Sequence, residues 1–329
     1  MTRVGRAAFA AAACLASGAT TGARAPVLRP PDEPPLLAPG VRPEKIAGGF
    51  EHAEGPLWHP DGYLLFGDTP RDRIVKLQGG DVSVWRAPAG RTTALGFDPA
   101  GRLVAAESHG GSEGARRISR QQADGTWVTV ADRFEGQRFN SPNDFAIDRR
   151  GRIYFTDPRY SQRETMELDH ESVYRIDPDG SVTRLTDQLL RPNGILLTAD
   201  DRTLLVADNP VVTAGRGALW AFDLDAAGAV QHGRVVYDFH SNRGIDGMTE
   251  DSAGRIWACA GAGPDAGVYV LALDPTRTTA RLIQRVPLPE TPTNCTFGGP
   301  DRATLYVLSD TSVYALRTQV HGRPTPPGK

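Results

Sequence analysis

The stretch NDFAIDRRGRIYFTD, Asn143 to Asp157, decides the fold. It opens on a polar pair, runs through an apolar strand, turns at Arg150-Gly151 and climbs a second strand to an acidic end. A glycine turn between two short apolar runs is hairpin chemistry. The arrangement recurs on both sides. Upstream stand EGPLWHPDGYLLFGD (Glu54–Asp68) and TALGFDPAGRLVAAE (Thr93–Glu107). Downstream stand NGILLTADDRTLLVAD (Asn193–Asp208), DGMTEDSAGRIWACA (Asp246–Ala260) and NCTFGGPDRATLYVLSD (Asn294–Asp310). Each copy leads into a third apolar stretch, such as RIVKL from Arg73 or SVYRID from Ser172, and most into a weaker fourth, such as VSVW from Val82.

Four short strands every roughly 40 to 50 residues, six times over, predict an all-β fold, a six-bladed β-propeller. A β-helix needs a shorter period, and a helical solenoid needs a 3.6-residue period that is absent. The last blade runs out of chain before a fourth strand. Lys45-Ile46-Ala47 is placed to supply it and lock the ring.

Composition agrees with this reading. With 36 Gly and 26 Pro, the chain favours short elements joined by tight turns. A net charge of −2 with scattered Lys and Arg offers no basic stripe for nucleic acid. The expected partner is a small molecule, and a monomer or weak dimer is expected.

Ahead of the repeats, Arg3 and Arg6 precede a small apolar run from Ala7 to Ala16, and Ala23-Arg24-Ala25 offers a cleavage site. Residues 1–25 therefore read as a signal peptide and predict an exported protein, periplasmic or secreted. The apolar run is too short for a transmembrane segment. Cys14 follows Ala11-Ala12-Ala13, a poor context for lipid attachment. Residues 26–43 read as a Pro-rich linker, 44–318 as the propeller and 319–329 as a polar tail. Cys259 and Cys295, the cysteines left after cleavage, make no disulfide framework and are expected to stay unpaired.

Aligning the copies on their turns superposes Glu54, Thr93, Asn143, Asn193, Asp246 and Asn294. They open the first strand of each blade, which lines the channel, so they form a ring at one channel end. All six carry oxygen. Singly, each can be a residue bonding its own backbone at a strand start. Together, Glu54, Asn193 and Asp246 argue for a metal site at that end. Such a ring suits a hard cation, with Ca²⁺ first and softer metals less favoured.

Glu54-Gly55-Pro56, Ser141-Pro142-Asn143-Asp144, Arg191-Pro192-Asn193-Gly194 and Asp246-Gly247-Met248, in that order and each at a blade start, carry a resemblance. The chain resembles the gluconolactonase/regucalcin (senescence-marker) superfamily, which includes luciferin-regenerating proteins, from about Ile46 to Leu316. The resemblance implies one catalytic divalent metal, usually Ca²⁺, with Zn²⁺, Mn²⁺ or Mg²⁺ as alternatives. It places Glu54, Asn193 and Asp246 on the metal ligands and Asn143 on a further asparagine for metal or substrate. Asp246 also falls on the proposed general base. Some members hold sugar with an arginine and an asparagine two apart; here Arg138-Phe139-Asn140 is shifted from Asn143.

What the resemblance implies is a metal-dependent hydrolase opening a sugar lactone, by Lewis-acid activation of the carbonyl and attack of water. A carboxylate bound to a dication is a weak base, so metal binding ranks above the base role for Asp246. The alternatives are a hydrolase of another lactone or ester and a non-catalytic metal-binding propeller. Two carboxylates at a channel mouth are more than a scaffold needs.

Second strands return to the ring's face, so the loops after them should surround the site. Glu107–Arg117 brings His109, and Pro158–Glu171 brings Arg159 and Tyr160. Asn143, His109, Arg159 and Tyr160 are the expected substrate-binding residues. Pro158–Glu171 is long enough for a lid. Asp68, Asp157 and Asp208 recur at second-strand ends and read as structural.

Overall fold

The computed structural model describes residues 35–110, 114–210, 217–240 and 243–324. The expected signal peptide and most of the linker lie outside the described residues, as does the end of the tail. Among the described residues, six four-stranded antiparallel sheets and one two-stranded ribbon form the fold. The innermost strands are Ala53–His59, Thr92–Phe97, Phe145–Ile147, Pro192–Leu197, Ile245–Glu250 and Pro292–Gly298. They touch one another in cyclic order, which makes the sheets blades around a channel. Among the described residues, no helix is long and apolar enough to cross a membrane.

Sequence dictates the hairpins in detail. In the copies reading Asp-x-x-Gly-Arg, the Asp caps its own turn. Asp98 Oδ1 accepts from the Ala100 and Arg102 amides, Asp148 Oδ1 from Arg150 and Arg152, and Asp251 Oδ1 from Ala253 and Arg255. The arginine then closes on the same carboxylate, Arg152 Nε at 2.5 Å and Arg255 Nε at 2.7 Å. These are Asx turns with a charge-assisted clasp. A second device ties each blade to the channel. Asp157 accepts from the Asn140 and Ser141 amides at 2.7 and 2.6 Å, and Asp208 from Arg191 at 2.7 Å. Asp68 does the same for Glu51 at 3.0 Å. The recurring second-strand aspartates thus fix the chain entering the first strand.

The core lies between blades, in six apolar clusters, one per junction. Fully buried Trp257 typifies it: its ring packs edge-on against Phe297, and its Nε1 donates to Asp251 at 3.0 Å. Burying the indole without that acceptor would leave an unmet donor.

Glu44–Gly48 pairs antiparallel with Ser312–Arg317 and completes the sixth blade, closing the ring with strands from both ends of the fold. The fold also reaches beyond the 44–318 read from the sequence. Leu36, inside the expected linker, is fully buried in the cluster between the fifth and sixth blades, together with Val320 of the expected tail. Gln319 N donates to Leu36 O at 2.8 Å, and Arg323 N to Glu250 O at 3.1 Å. A few apolar side chains inside Pro-rich or polar composition are enough to dock these segments. Cys259 and Cys295 are both buried and free.

Blade packing is close at the ring. A Cβ on Gly194 would lie 2.3 Å from the Asp246 carbonyl oxygen, a backbone atom with no room to yield. Gly194→Ala is therefore expected to destabilise by about 3 kcal/mol, the upper range for overpacking. It should weaken cation binding as well, since Asn193 and Asp246 flank the clash. Denaturant unfolding and calorimetry check both; unchanged stability would refute the contact.

Candidate functional site

Each ring residue sits in a break of the strand pattern. Pairing with the second strand shifts register between Glu54 and Leu57, Thr92 and Ala94, Pro192 and Ile195, Ile245 and Met248, and Pro292 and Cys295. A bulge re-aims a side chain that regular alternation would send into the sheet's neighbours. In the third blade the strand begins only at Phe145, so Asn143 precedes it. Its backbone is pinned instead: Asn143 N donates to Thr156 O at 2.9 Å, and Thr93 Oγ1 to Asn143 O at 2.8 Å.

A cavity of about 420 Å³ opens at this channel end. Glu54, Asn143, Asn193 and Asp246 line it from the ring, and His109, Arg159 and Tyr160 from the loops. All seven residues singled out in the sequence thus meet at one place. A second cavity, about 360 Å³, runs down the channel past Trp58, Phe97, Phe145 and Phe297 toward Arg323. The ring side chains Glu54, Asn143, Asn193 and Asp246 and the loop residues line the first cavity and not this one, so the mouth is the candidate site.

Within the mouth the polar groups are interlocked. Asn193 Nδ2 donates to Asp246 Oδ1 at 2.7 Å, and Arg243 Nη2 contacts Asp246 Oδ2. Glu54 Oε2 accepts from the Gly55 amide at 2.9 Å and from Asn294 Nδ2 at 3.3 Å. Glu54 and Asp246 are buried. Burial, and after it the nearby Asp246 charge, pushes the Glu54 carboxyl up to about 8. Burial alone dominates at Asp144, one residue past the ring, raising it to about 7.

Sequence reasoning missed two cavity residues, His52 and Arg243. Their only signal was position, two and three residues ahead of Glu54 and Asp246. His52 Nδ1 lies 2.8 Å from Asp310 Oδ1. Burial works against its imidazolium, but the Asp310 hydrogen bond and the Glu54 and Asp246 charges outweigh it and raise His52 to about 9. Arg243 Nη1 is anchored on Pro292 O at 3.0 Å.

The loop residues differ among themselves. Arg159 is fully buried, with Nη1 on Asn140 O at 2.7 Å. Tyr160 is 49% exposed, under the Arg191 guanidinium at 5.1 Å. His109 is held through its amide, which donates to Ser141 Oγ at 3.0 Å. Burial and four arginines push its imidazole down to about 4. The loop expected as a lid is tied at Glu171, which accepts from Arg159 N at 2.9 Å and Arg191 Nε at 3.3 Å and also contacts Arg163. Arg138 and Asn140 are engaged elsewhere. Arg138 Nη2 donates to Ala115 O at 2.8 Å, and Asn140 Nδ2 to His170 O at 2.9 Å.

Among the described residues, no three His, Cys, Asp or Glu side chains gather as a metal cluster. The mouth has two carboxylates, and amides supply its remaining oxygens. This donor set still fits a hard dication: all its ligating atoms are oxygens, and Glu54 is buried against a like charge that only a proton or a cation relieves.

These shifts set a pH dependence for the metal-free protein. Glu54, normally near 4.5, holds its proton to about 8 when folded, and His52, normally near 6.5, holds its own to about 9. The folded state therefore binds more protons than the unfolded chain between pH 6.5 and 8, and His52 extends the window to 9. Stability must fall as pH rises through it. Thermal unfolding in chelator should lose about 5 °C or more from pH 6.5 to 9. Saturating Ca²⁺ should flatten the trend; a flat chelated profile would refute it.

Fold and site define a class: a six-bladed propeller with an acid-and-amide ring at one channel mouth. Within it, the chain belongs to the SMP-30/gluconolactonase/LRE-like family, whose model matches residues 52–311. It is 29% identical over 310 residues to a gluconolactonase from Zymomonas mobilis, covering 85% of this chain and 82% of the relative. It is 31% identical over 268 residues to regucalcin from Gallus gallus, covering 79% and 83%. The solved structure of a gluconolactonase from Xanthomonas campestris superposes with a TM-score of 0.71 at 28% identity, covering 89% of this chain and 98% of that one.

Proposed function

We propose that the protein is an exported gluconolactonase-like hydrolase that opens a sugar lactone with the help of a divalent cation. One observation carries this reading: Glu54, Asn143, Asn193 and Asp246 line a single cavity with the loop residues His109, Arg159 and Tyr160. The names of the family's gluconolactonases supply the substrate class. A cation held by Glu54, Asn143, Asn193 and Asp246 would polarise the lactone carbonyl as a Lewis acid.

The chain's own residues do the rest. Asp246 Oδ2 takes a proton from the water as the water oxygen bonds to the carbonyl carbon, and returns it to the ring oxygen when the lactone C–O bond breaks. Arg243, on Asp246 Oδ2, must release it as water approaches. Asn193, donating to Oδ1, fixes the plane of the carboxylate. The Asn143 amide and the loop residues bind sugar hydroxyls opposite the ring. Positioning of this kind turns an encounter into an oriented reaction.

Titration at constant pH of glucono-1,5-lactone hydrolysis tests the proposal, before chelation, after it and with Ca²⁺ restored. Activity that vanishes with chelator and returns with Ca²⁺ is expected. Hydrolysis no faster than the spontaneous rate in Ca²⁺-loaded protein would reject gluconolactone as substrate.

A further inference from the structure

Facing the acid ring across the mouth is a wall of opposite charge. Arg159 lines the cavity, is fully buried and spends its Nη atoms on uncharged oxygens: Asn140 O at 2.7 Å, Gln162 O at 3.3 Å and Thr165 Oγ1. Its Nε is buried with no partner among the described residues. Arg91 Nε is also buried and unpartnered, and its side chain lies against Gly110, next to His109. Arg116 and Arg138 stand behind the cavity lining, donating to the carbonyls of Phe139 at 2.6 Å and Ala115 at 2.8 Å. The carboxylates near these guanidiniums are already engaged or remote. Asp157 is buried, with its oxygens taken by the Asn140 and Ser141 amides, Glu164 acts on Arg159 through its charge with no ion pair among the described residues, and Glu167 is 40% exposed at 3.4 Å from Arg116.

The imbalance reaches the cavity. Burial and the charges of Arg159, Arg116, Arg91 and Arg138 push the His109 imidazole down. A buried guanidinium whose hydrogen bonds all go to uncharged oxygens, with its Nε left unpartnered, is costly, and a sugar hydroxyl does little to relieve it. An anion relieves it directly.

We propose that the substrate is a lactone carrying an anionic group, a carboxylate or a phosphate, remote from its ring carbonyl, and that Arg159 and His109 receive that group. The proposal rests on the lactone-hydrolase reading and narrows its substrate. The acid ring then takes the carbonyl end and the basic wall the charged end, which fixes the direction of binding.

Two matched pairs of lactones test it. D-glucono-1,4-lactone and D-glucaro-1,4-lactone differ in a hydroxymethyl against a carboxylate. D-glucono-1,5-lactone and its 6-phosphate differ in the phosphate. The charged member of at least one pair should show a kcat/KM about tenfold higher or more, the gain of one charge-assisted hydrogen bond. The preference should shrink with added salt, and the pair that shows it tells carboxylate from phosphate. Arg159→Gln should abolish it.

Because Arg159 also holds its loop, binding to the unaltered protein gives a second measurement. Calorimetry would compare methyl glucuronoside with methyl glucoside, and glucitol 6-phosphate with glucitol. Running it with and without Ca²⁺ separates capture by the cation from capture by the wall. Charged members binding about tenfold tighter without Ca²⁺ are expected. Equal binding within both pairs would overturn the proposal even if gluconolactone is hydrolysed. Tight binding of the anions with no hydrolysis of any lactone would uphold the anion site and reject the lactone reading.

Discussion

Asp246→Asn will lower kcat on the preferred lactone by about a thousandfold, within the range that a positioned general base supplies. The substitution keeps the shape of the side chain and removes its charge. It therefore spares the packing around Asn193 and tests the electrostatics alone. Two losses combine: the proton acceptor and one of the ring's two carboxylates. Glu54→Gln separates them. Glu54 brings the other ring carboxyl into the same cavity but has no assigned role in proton transfer. Its loss should weaken Ca²⁺ binding by more than the roughly 10–100-fold typical of a ligand's outer partners. Activity of Glu54→Gln should then recover in part at saturating Ca²⁺, whereas Asp246→Asn should stay inactive at any Ca²⁺ concentration. Calorimetric Ca²⁺ titration and initial rates measured on the same preparations decide it. An Asp246→Asn enzyme within threefold of the parent would remove the base role. Arg243 adds a further expectation: without its counter-charge it is left beside a neutral amide, so Asp246→Asn should also be measurably less stable.

The repeat made the ring legible. Aligning copies on their glycine turns superposes the channel residues whatever their chemistry, so Glu54, Asn143, Asn193 and Asp246 could be listed before any coordinates existed. The bulges could not, because an extra residue in a strand leaves no mark on composition. The alternation simply fails for two positions, as at Gly55-Pro56 and Asp246-Gly247. His52 and Arg243 lie ahead of the repeat unit, outside the aligned copies. Their importance comes from a neighbour in another blade, Asp310 for His52, or from the ring itself, Asp246 for Arg243. Arg138 and Asn140 teach the converse. The family's sugar-holding pair has their spacing but not their place in the chain, and their side chains serve the carbonyls of Ala115 and His170. Pairings of this kind depend on distance through the fold, which sequence spacing does not encode. The closing strand was legible because the sixth repeat is visibly short by one strand.

That closure carries the second large effect. A chain beginning at Gly49 should melt at least about 10 °C below the full fold and tend to aggregate. Its ring loses the Glu44–Gly48 pairing and leaves Ser312–Arg317 as an open edge. It also loses Leu36, whose burial beside Val320 is worth about 2–5 kcal/mol by the usual cost of truncating a core leucine to alanine. Leu36→Ala alone isolates that share and should leave a folded, active protein with a lower midpoint. The closing segment is covalently attached in the full chain but should also act as a ligand. Adding a peptide of residues 35–50 to the shortened chain should raise its melting temperature in step with peptide concentration, as mass action requires. The docked C-terminal segment cannot substitute for it. Residues 319–323 bind across the far end of the channel, on Glu250 and Asp251, and leave the blade edge untouched. A shortened chain that melts with the parent would mean the ring is held by its six blade junctions alone, with the terminal strand a covering of the edge and no more.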